Sequence, residues 1–199
     1  MIEIEKKFIL NDEDKERLIK DTNFLNEMIF TDVYYDTNDF LLTSNDKWLR
    51  SREGRFELKI SLRQGAEILI DQYDEIEDEQ KIKEVLNLTP VGSLADALVK
   101  AGYAPFCKCK TTRRKYRIEP FTIDIDIVDF QDFIYNVGEI ELMVSEKSEI
   151  ERAIDKIMFF AKKHNLTIAP ARGKVVEYLK RMKPLHYQAL IRTGVVKDF

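Results

Sequence analysis

Cysteine is scarce in this 199-residue chain: Cys107 and Cys109 are the only two. Two apart on a strand, they share a face at the outer limit of bridging distance, so they read as reduced thiols. CxC with no further cysteine cannot complete a Cys-rich zinc site. Histidine is as sparse, with only His164 and His186. Nothing pairs either with a serine or cysteine nucleophile, so neither is given a catalytic role. No glycine-rich phosphate loop is present. No apolar run is long enough to span a bilayer, and the charged first residues show no secretory pattern. A cytoplasmic protein is expected. No repeat, low-complexity tract or Gly/Ser linker divides the chain, which predicts one domain over residues 1–199. Net charge is -4, from 32 basic and 36 acidic side chains. That balance gives no general affinity for nucleic acid or membranes, so any anion site is local.

What is abundant is charge arranged with a period of two. MIEIEKKFIL sets Glu3, Glu5 and Lys7 against Ile2, Ile4 and Phe8, and strand side chains alternate sides. The pattern recurs. Trp48, Arg50 and Arg52 share a face, as do Glu57 and Lys59. Leu69, Asp71, Tyr73 and Glu75 alternate against Ile68 and Ile70. Arg113, Lys115 and Arg117 alternate against Tyr116 and Ile118, Asp124 and Asp126 against Ile123, Ile125 and Ile127, and Glu139 and Glu141 against Ile140 and Leu142. One such strand would be an ordinary solvated surface. The set differs because several polar faces carry one sign only, and like charges side by side repel. Clustered carboxylates call for a hard cation such as Mg²⁺ or Mn²⁺. Clustered arginines and lysines call for phosphate. The consistent geometry is a curved or closed sheet with a charged interior, its apolar outside covered by helices.

Turn and cap signals divide the chain accordingly. A helix is predicted from Asn11–Asp14 to about Lys20. Strands are predicted over Ile29–Tyr35, Trp48–Arg52, Arg55–Leu62, Ala66–Tyr73, Lys108–Ile118, Phe121–Asp129 and Asn136–Val144. Acidic Glu75–Glu84 leads into helical periodicity that Pro90 interrupts, and Val91–Gly102 reads as a short helix. Glu146–Asn165 is amphipathic and helical, and two further helices flank Pro184.

The segments resemble the CYTH domain, the triphosphate tunnel metalloenzymes. The match is carried by ExExK at Glu3–Lys7, YYDT at Tyr34–Thr37, WLRSR at Trp48–Arg52, FELK at Phe56–Lys59, IDID at Ile123–Asp126, VGEIE at Val137–Glu141 and GKVVEYL at Gly173–Leu179. Within that family WLRxR, VGEIE and the late KxxxYLxRxxPxxY run are most similar to the thiamine triphosphatases.

The resemblance implies an α+β fold: an antiparallel eight-stranded β-barrel, or tunnel, with helices packed outside. It implies that Glu3, Glu5, Asp124, Glu139 and Glu141, assisted by Asp126, hold Mg²⁺ or Mn²⁺. Lys7, Arg50, Arg52, Lys59, Arg113 and Lys174 would grip phosphates. Tyr34 with Lys59 would activate water, and Trp48 would stack on an organic cation. The reaction implied is thiamine triphosphate to thiamine diphosphate plus phosphate, by a monomer or homodimer acting on a small molecule. Inorganic triphosphatase, adenylyl cyclase and a non-catalytic polyphosphate- or nucleotide-binding module are the alternatives. The match departs from the family at Thr111, where many members carry lysine; Arg114 or Lys115 would partly replace it. Lys115 and Arg117 either line the tunnel or lie beyond it. Arg172 has no assigned role.

Overall fold

The computed structural model describes residues 2–62, 71–168 and 171–197. The alternating segments form eight strands: β1 (Ile2–Phe8), β2 (Asn23–Asp36), β3 (Lys47–Arg52), β4 (Arg55–Ser61), β5 (Asp71–Ile76), β6 (Ala104–Ile118), β7 (Phe121–Asp129) and β8 (Ile134–Val144). Every neighbouring pair is antiparallel, and the order β1-β5-β4-β3-β2-β6-β7-β8 closes because β1 also pairs with β8. Closure leaves no free edge among the described strands. The fold is therefore α+β with a closed antiparallel barrel, as the charge alternation and the family likeness imply.

Among the described residues six α-helices complete it: α1 (Asp12–Ile19), α2 (Glu79–Val85), α3 (Leu94–Lys100), α4 (Ile150–Lys163), α5 (Lys174–Met182) and α6 (Pro184–Arg192). The start of α1 is fixed by a capping box. Asn11 Oδ1 accepts from the Asp14 amide at 2.8 Å, and Asp14 accepts from the Asn11 amide at 3.3 Å. None of the helices among the described residues is long and apolar enough to cross a membrane.

The outward, apolar face of the barrel is covered in sections. Ala153, Ile157, Phe160 and Ala161 of α4 pack on Ile2, Ile4, Phe8, Ile140 and Leu142 of β1 and β8. Ile82 of α2 and Leu94 and Leu98 of α3 pack on Leu49 and Leu58 of β3 and β4. Each fully buried aliphatic side chain in these layers contributes about 1.5–3 kcal/mol.

α5 and α6 do something else. Val175, Leu179, Tyr187 and Leu190 join a cluster with Tyr34, Trp48, Cys107, Cys109, Val128, Tyr135 and Val137. Those strand residues have the same parity as the charged ones, so they face inward. Read along β6, the inward face runs Lys115, Arg113, Thr111, Cys109, Cys107; along β8 it runs Glu141, Glu139, Val137, Tyr135. The interior is charged at one end and apolar at the other, and the apolar end is where α5 and α6 dock. The expectation of helices only outside holds for α4, α2 and α3 and not for α5, whose first residues line the cavity.

Among the element boundaries that differ from those predicted are three in strands of the barrel wall. β2 starts at Asn23, six residues before the predicted Ile29, and β6 starts at Ala104. The extra part of β2 is exposed on both faces, so it carries no alternation to read. It is a strand because β6 supplies its ladder. Glu75 belongs to β5, since that strand continues to Ile76 and α2 begins only after the Asp78 cap. The predicted strand Ala66–Tyr73 is seen from Asp71 onward; its earlier residues, with Leu69 and the opposing Ile68 and Ile70, lie outside the described residues.

Candidate active site

The barrel encloses a cavity of about 330 Å³. From β1 come Glu3, Glu5 and Lys7; from β3, Trp48, Arg50 and Arg52; from β4, Glu57 and Lys59; from β5, Tyr73 and Glu75. Arg113 and Lys115 of β6, Glu139 and Glu141 of β8, Tyr34 of β2, and Arg172 to Val176 around the start of α5 complete most of the wall. The strand period places these side chains together from distant parts of the chain. Glu5 is registered beside Glu141, Lys7 beside Glu139, Arg50 beside both Tyr34 and Glu57, and Lys59 beside both Trp48 and Glu75.

Arg113 is the hub of the charged end. Its Nε and Nη2 donate to the two oxygens of Asp126 at 2.7 and 2.6 Å, Nη2 also donates to Glu139 at 2.9 Å, and Nη1 donates to Asp124. The register of β6 is thereby settled: Arg113 points in, whereas Arg114 is exposed and pairs with Glu27 at 2.8 Å. Lys115 also lines the cavity, with Nζ 2.9 Å from Asp124 and 3.5 Å from Glu141. Arg117 is absent from the cavity wall; it pairs with Glu119 at 2.9 Å and donates to Thr122 at 3.0 Å.

A second constellation gathers Arg52 and Lys174, both expected to grip phosphate, around a carboxylate that the sequence patterns do not mark. Asp32 is fully buried and accepts from Arg52 at 2.8 and 3.1 Å and from Lys174 at 2.6 Å. Lys174 also donates to Thr111 at 3.1 Å. A lysine reaching in from α5 thus stands beside the position where Thr111 departs from the family pattern; Arg114 and Lys115 point elsewhere. Phe30 supports this group, with the Arg52 guanidinium 3.8 Å, Lys174 5.2 Å and Arg113 5.8 Å from its ring centroid. Arg172 takes its place here too. Its backbone carbonyl accepts from Tyr135 at 2.7 Å, its Nε donates to Tyr187 at 3.3 Å and its Nη1 lies 3.6 Å from Glu177.

The carboxylates crowd one another. Ligand oxygens of Glu3, Glu5 and Glu141, and of Asp124, Glu139 and Glu141, each form a group lying within 4.8 Å. Asp126 belongs to neither group and instead orients Arg113. Burial pushes the Glu141 carboxyl up to about 9, with Asp124, Glu3 and Glu139 adding to the shift. Burial likewise pushes Glu5 up to about 8 against the pull of Lys7. For Glu139 burial is the largest single effect and acts upward, but Arg113, Lys7 and Lys174 together outweigh it and hold the group at about 2. Asp124 Oδ1 is buried and makes no hydrogen bond, although the Lys115 ammonium is close. An all-oxygen donor set with this much mutual repulsion fits a hard divalent cation.

Tyr34 and Lys59 do not form the expected pair. Lys59 donates to Glu3 at 2.8 Å and contacts Glu75. Burial lowers its proton affinity, and Glu3 and Glu5 more than restore it, so the ammonium stays charged. Burial pushes the Tyr34 hydroxyl above its ordinary value, and Lys174 and Arg50 only partly oppose this. Tyr34 therefore holds its proton more firmly than a free phenol and is no ready base. Trp48 is buried on the apolar side with Tyr73, and its Nε1 donates to Asp46 at 2.9 Å. Arg50 pairs with Glu57 at 2.9 Å.

A closed antiparallel tunnel with carboxylates and cations converging inside it defines the class of protein. Residues 1–168 match the CYTH domain family, and the chain belongs to it. A thiamine-triphosphatase of Homo sapiens is 31% identical over all of this chain and 93% of its own length. A solved protein of Pyrococcus horikoshii OT3 shares the fold with a TM-score of 0.64 at 24% identity, covering 90% of this chain and 99% of that one. A putative adenylyl cyclase from Hippeastrum, described as having a dominant triphosphatase activity, superposes with a TM-score of 0.56 at 17% identity, over 92% of this chain and 98% of that one.

Proposed function

We propose that this protein is a divalent-metal-dependent triphosphatase that converts thiamine triphosphate to thiamine diphosphate and phosphate. The observation that carries the reading is one cavity holding three environments together: clustered carboxylates, clustered cations and an aromatic-aliphatic wall. A pure anion binder gains little from carboxylates crowded against one another, as Glu3, Glu5 and Glu141 are. The full-length likeness to thiamine-triphosphatases supports the choice of substrate.

Glu3, Glu5, Asp124, Glu139 and Glu141 would hold Mg²⁺ or Mn²⁺, which when bound neutralises phosphate charge and polarises the scissile group. Phosphoryl transfer to water requires positioning and charge stabilisation more than covalent chemistry. Arg50, Arg52, Arg113, Lys7, Lys59 and Lys174 supply the positioning cations, and Asp126 and Asp32 fix the angles at which Arg113, Arg52 and Lys174 present their protons. Lys59, permanently charged, stabilises the negative charge that develops on the transferring group. Tyr34, whose proton burial holds more firmly, donates to a phosphate oxygen in place of the water-activating role expected for it. Trp48 offers its indole face to the cationic thiazolium. A cytoplasmic enzyme acting on a small soluble triphosphate is the setting this reading implies.

Phosphate release with Mg²⁺ or Mn²⁺ from thiamine triphosphate, inorganic triphosphate and ATP at matched concentrations tests the assignment. Preference for thiamine triphosphate supports it. Preference for inorganic triphosphate leaves the tunnel chemistry and removes the organic pocket. No release from any of the three refutes triphosphatase activity.

A further inference from the structure

The cavity is closed on its apolar side by residues that no motif marks. Val195 and Val196 line it together with Val175 and Val176 of α5. They reach it through a chain reversal after α6. The Thr193 amide donates to Ala189 at 3.1 Å and the Gly194 amide to Ile191 at 3.0 Å; Gly194 then adopts φ +77°, and the Val196 amide returns to Leu190 at 3.3 Å. That left-handed step strains any residue with a Cβ, and glycine adopts it freely. Val196 is buried in the same cluster as Trp48, Tyr34 and Tyr73.

The helix carrying these valines is tied to the segment carrying Trp48. His186 of α6 shares a 2.7 Å hydrogen bond with Thr43, and its ring stacks on Phe40 at 4.0 Å. Thr43 begins a single 3₁₀ turn that ends at Asp46, the residue that accepts from the Trp48 indole. The indole of β3 and the valines after α6 are therefore linked to one another through His186, Thr43 and Asp46.

We infer that Val195 and Val196 are specificity-determining residues: they form the wall against which the organic head of the triphosphate packs, facing the same space as Trp48. This rests on the thiamine triphosphatase reading. The chemistry follows from what a valine can and cannot do. An isopropyl group neither donates nor accepts, so it adds nothing to the grip on an inorganic triphosphate, whose oxygens seek the arginines and lysines. It does shelter an uncharged or aromatic surface from water. A wall of this kind discriminates by organic head, and changing one methyl-sized group in it alters selectivity on the order of tenfold.

Two variants test the assignment: Val195→Ser, at a partly buried position that the core needs least, and Val196→Thr, which keeps the shape and adds a hydroxyl. The first readout is the ratio of kcat/KM for thiamine triphosphate to that for inorganic triphosphate, measured on the full chain with Mg²⁺. We expect the ratio to fall by roughly tenfold, through KM for thiamine triphosphate. An unchanged ratio, or parallel loss on both substrates, overturns the assignment, because a merely structural role moves both together. The second readout needs no hydrolysis. Trp48 is the only tryptophan, so quenching of its fluorescence by thiamine, which lacks phosphate, reports the organic site directly. Weaker thiamine binding by both variants than by the unaltered protein supports the wall. Equal binding, or no quenching in the unaltered protein, overturns it. If no triphosphate is hydrolysed and thiamine still binds the variants more weakly, the hydrolytic reading fails and the wall stands.

Discussion

Asp32→Asn isolates what one buried carboxylate does for two cations. Asp32 is fully buried, accepts twice from Arg52 and once from Lys174, and is the only carboxylate among the described residues shown bonded to either. Burial alone would push its carboxyl up; the hydrogen bonds and charge of Arg52, Lys174 and Arg50 outweigh that and hold it far below the ordinary carboxylate range. The amide keeps the shape and one acceptor and removes the charge. Breaking a buried ion pair from one side costs about 3–5 kcal/mol, since the remaining charges stay desolvated. For a chain of this size each kcal/mol lowers Tm by about 2–4 °C, so the variant should melt about 6–20 °C lower. A folded pKa below the unfolded value contributes stability that is present above the unfolded pKa and is lost as pH falls through the folded one. The gap between the two proteins should therefore be wide at neutral pH and narrow on acidification. Guanidinium unfolding of both at pH 7 and at pH 3 measures it, and phosphate release reports the loosened Arg52 and Lys174. Equal midpoints at pH 7 with unaltered turnover would refute the idea that Asp32 sets these two cations.

Three further outcomes are expected. His186 is buried, and desolvation with help from Lys183 outweighs the pull of Asp36, lowering its pKa to about 4; the groups packed on it are Thr43, Asp36, Phe40 and Phe106. The unfolded chain binds this proton near pH 6.5 and the folded one near pH 4, so its contribution is intact above the higher value and is lost as pH falls through the lower, at most about 3 kcal/mol. His186→Gln should flatten the stability profile across that window, and an unaltered profile would count against it. Trp48→Ala should lower kcat/KM for thiamine triphosphate by about threefold to thirtyfold, a loss of roughly 0.5–2 kcal/mol of cation–π attraction, with a smaller effect on inorganic triphosphate; equal losses would place Trp48 in the packing alone. Lys59→Ala should reduce turnover by about 10²–10³ with an unaltered far-UV circular dichroism spectrum, and near-normal turnover would remove Lys59 from the mechanism.

Much of the tunnel was legible along the chain because a strand's period of two is a local property. Glu3 with Glu5, Asp124 with Asp126, Glu139 with Glu141 and Arg50 with Arg52 could be placed on shared faces without knowing what those faces met. The sign sorting implied an interior that is filled or wet, and the cap at Asn11 marked the start of α1. Asp32 and Phe30 lie on one strand, β2, whose inward face carries no run of like charge, so the local pattern does not mark them as part of a site.

What the chain could not reveal is anything set by register between strands or by the docking of helices. Asp126 shares a face with Asp124 in IDID and was expected to assist it, yet the antiparallel offset of β6 and β7 places it across Arg113 and outside both acidic groups. Lys59 was expected beside Tyr34, and β4 carries it to Glu3 and Glu75. Thr111 looked like a lost cation, and only the packing of α5 shows Lys174 standing there. Val195 and Val196, two ordinary apolar residues after a helix, become a cavity wall because Gly194 turns the chain and α6 is anchored to the turn before Trp48. Sequence alone determined which groups share a face, since that depends on one strand's geometry; the tertiary structure decided which groups meet, since that depends on closure of the barrel and on where its two last helices come to rest.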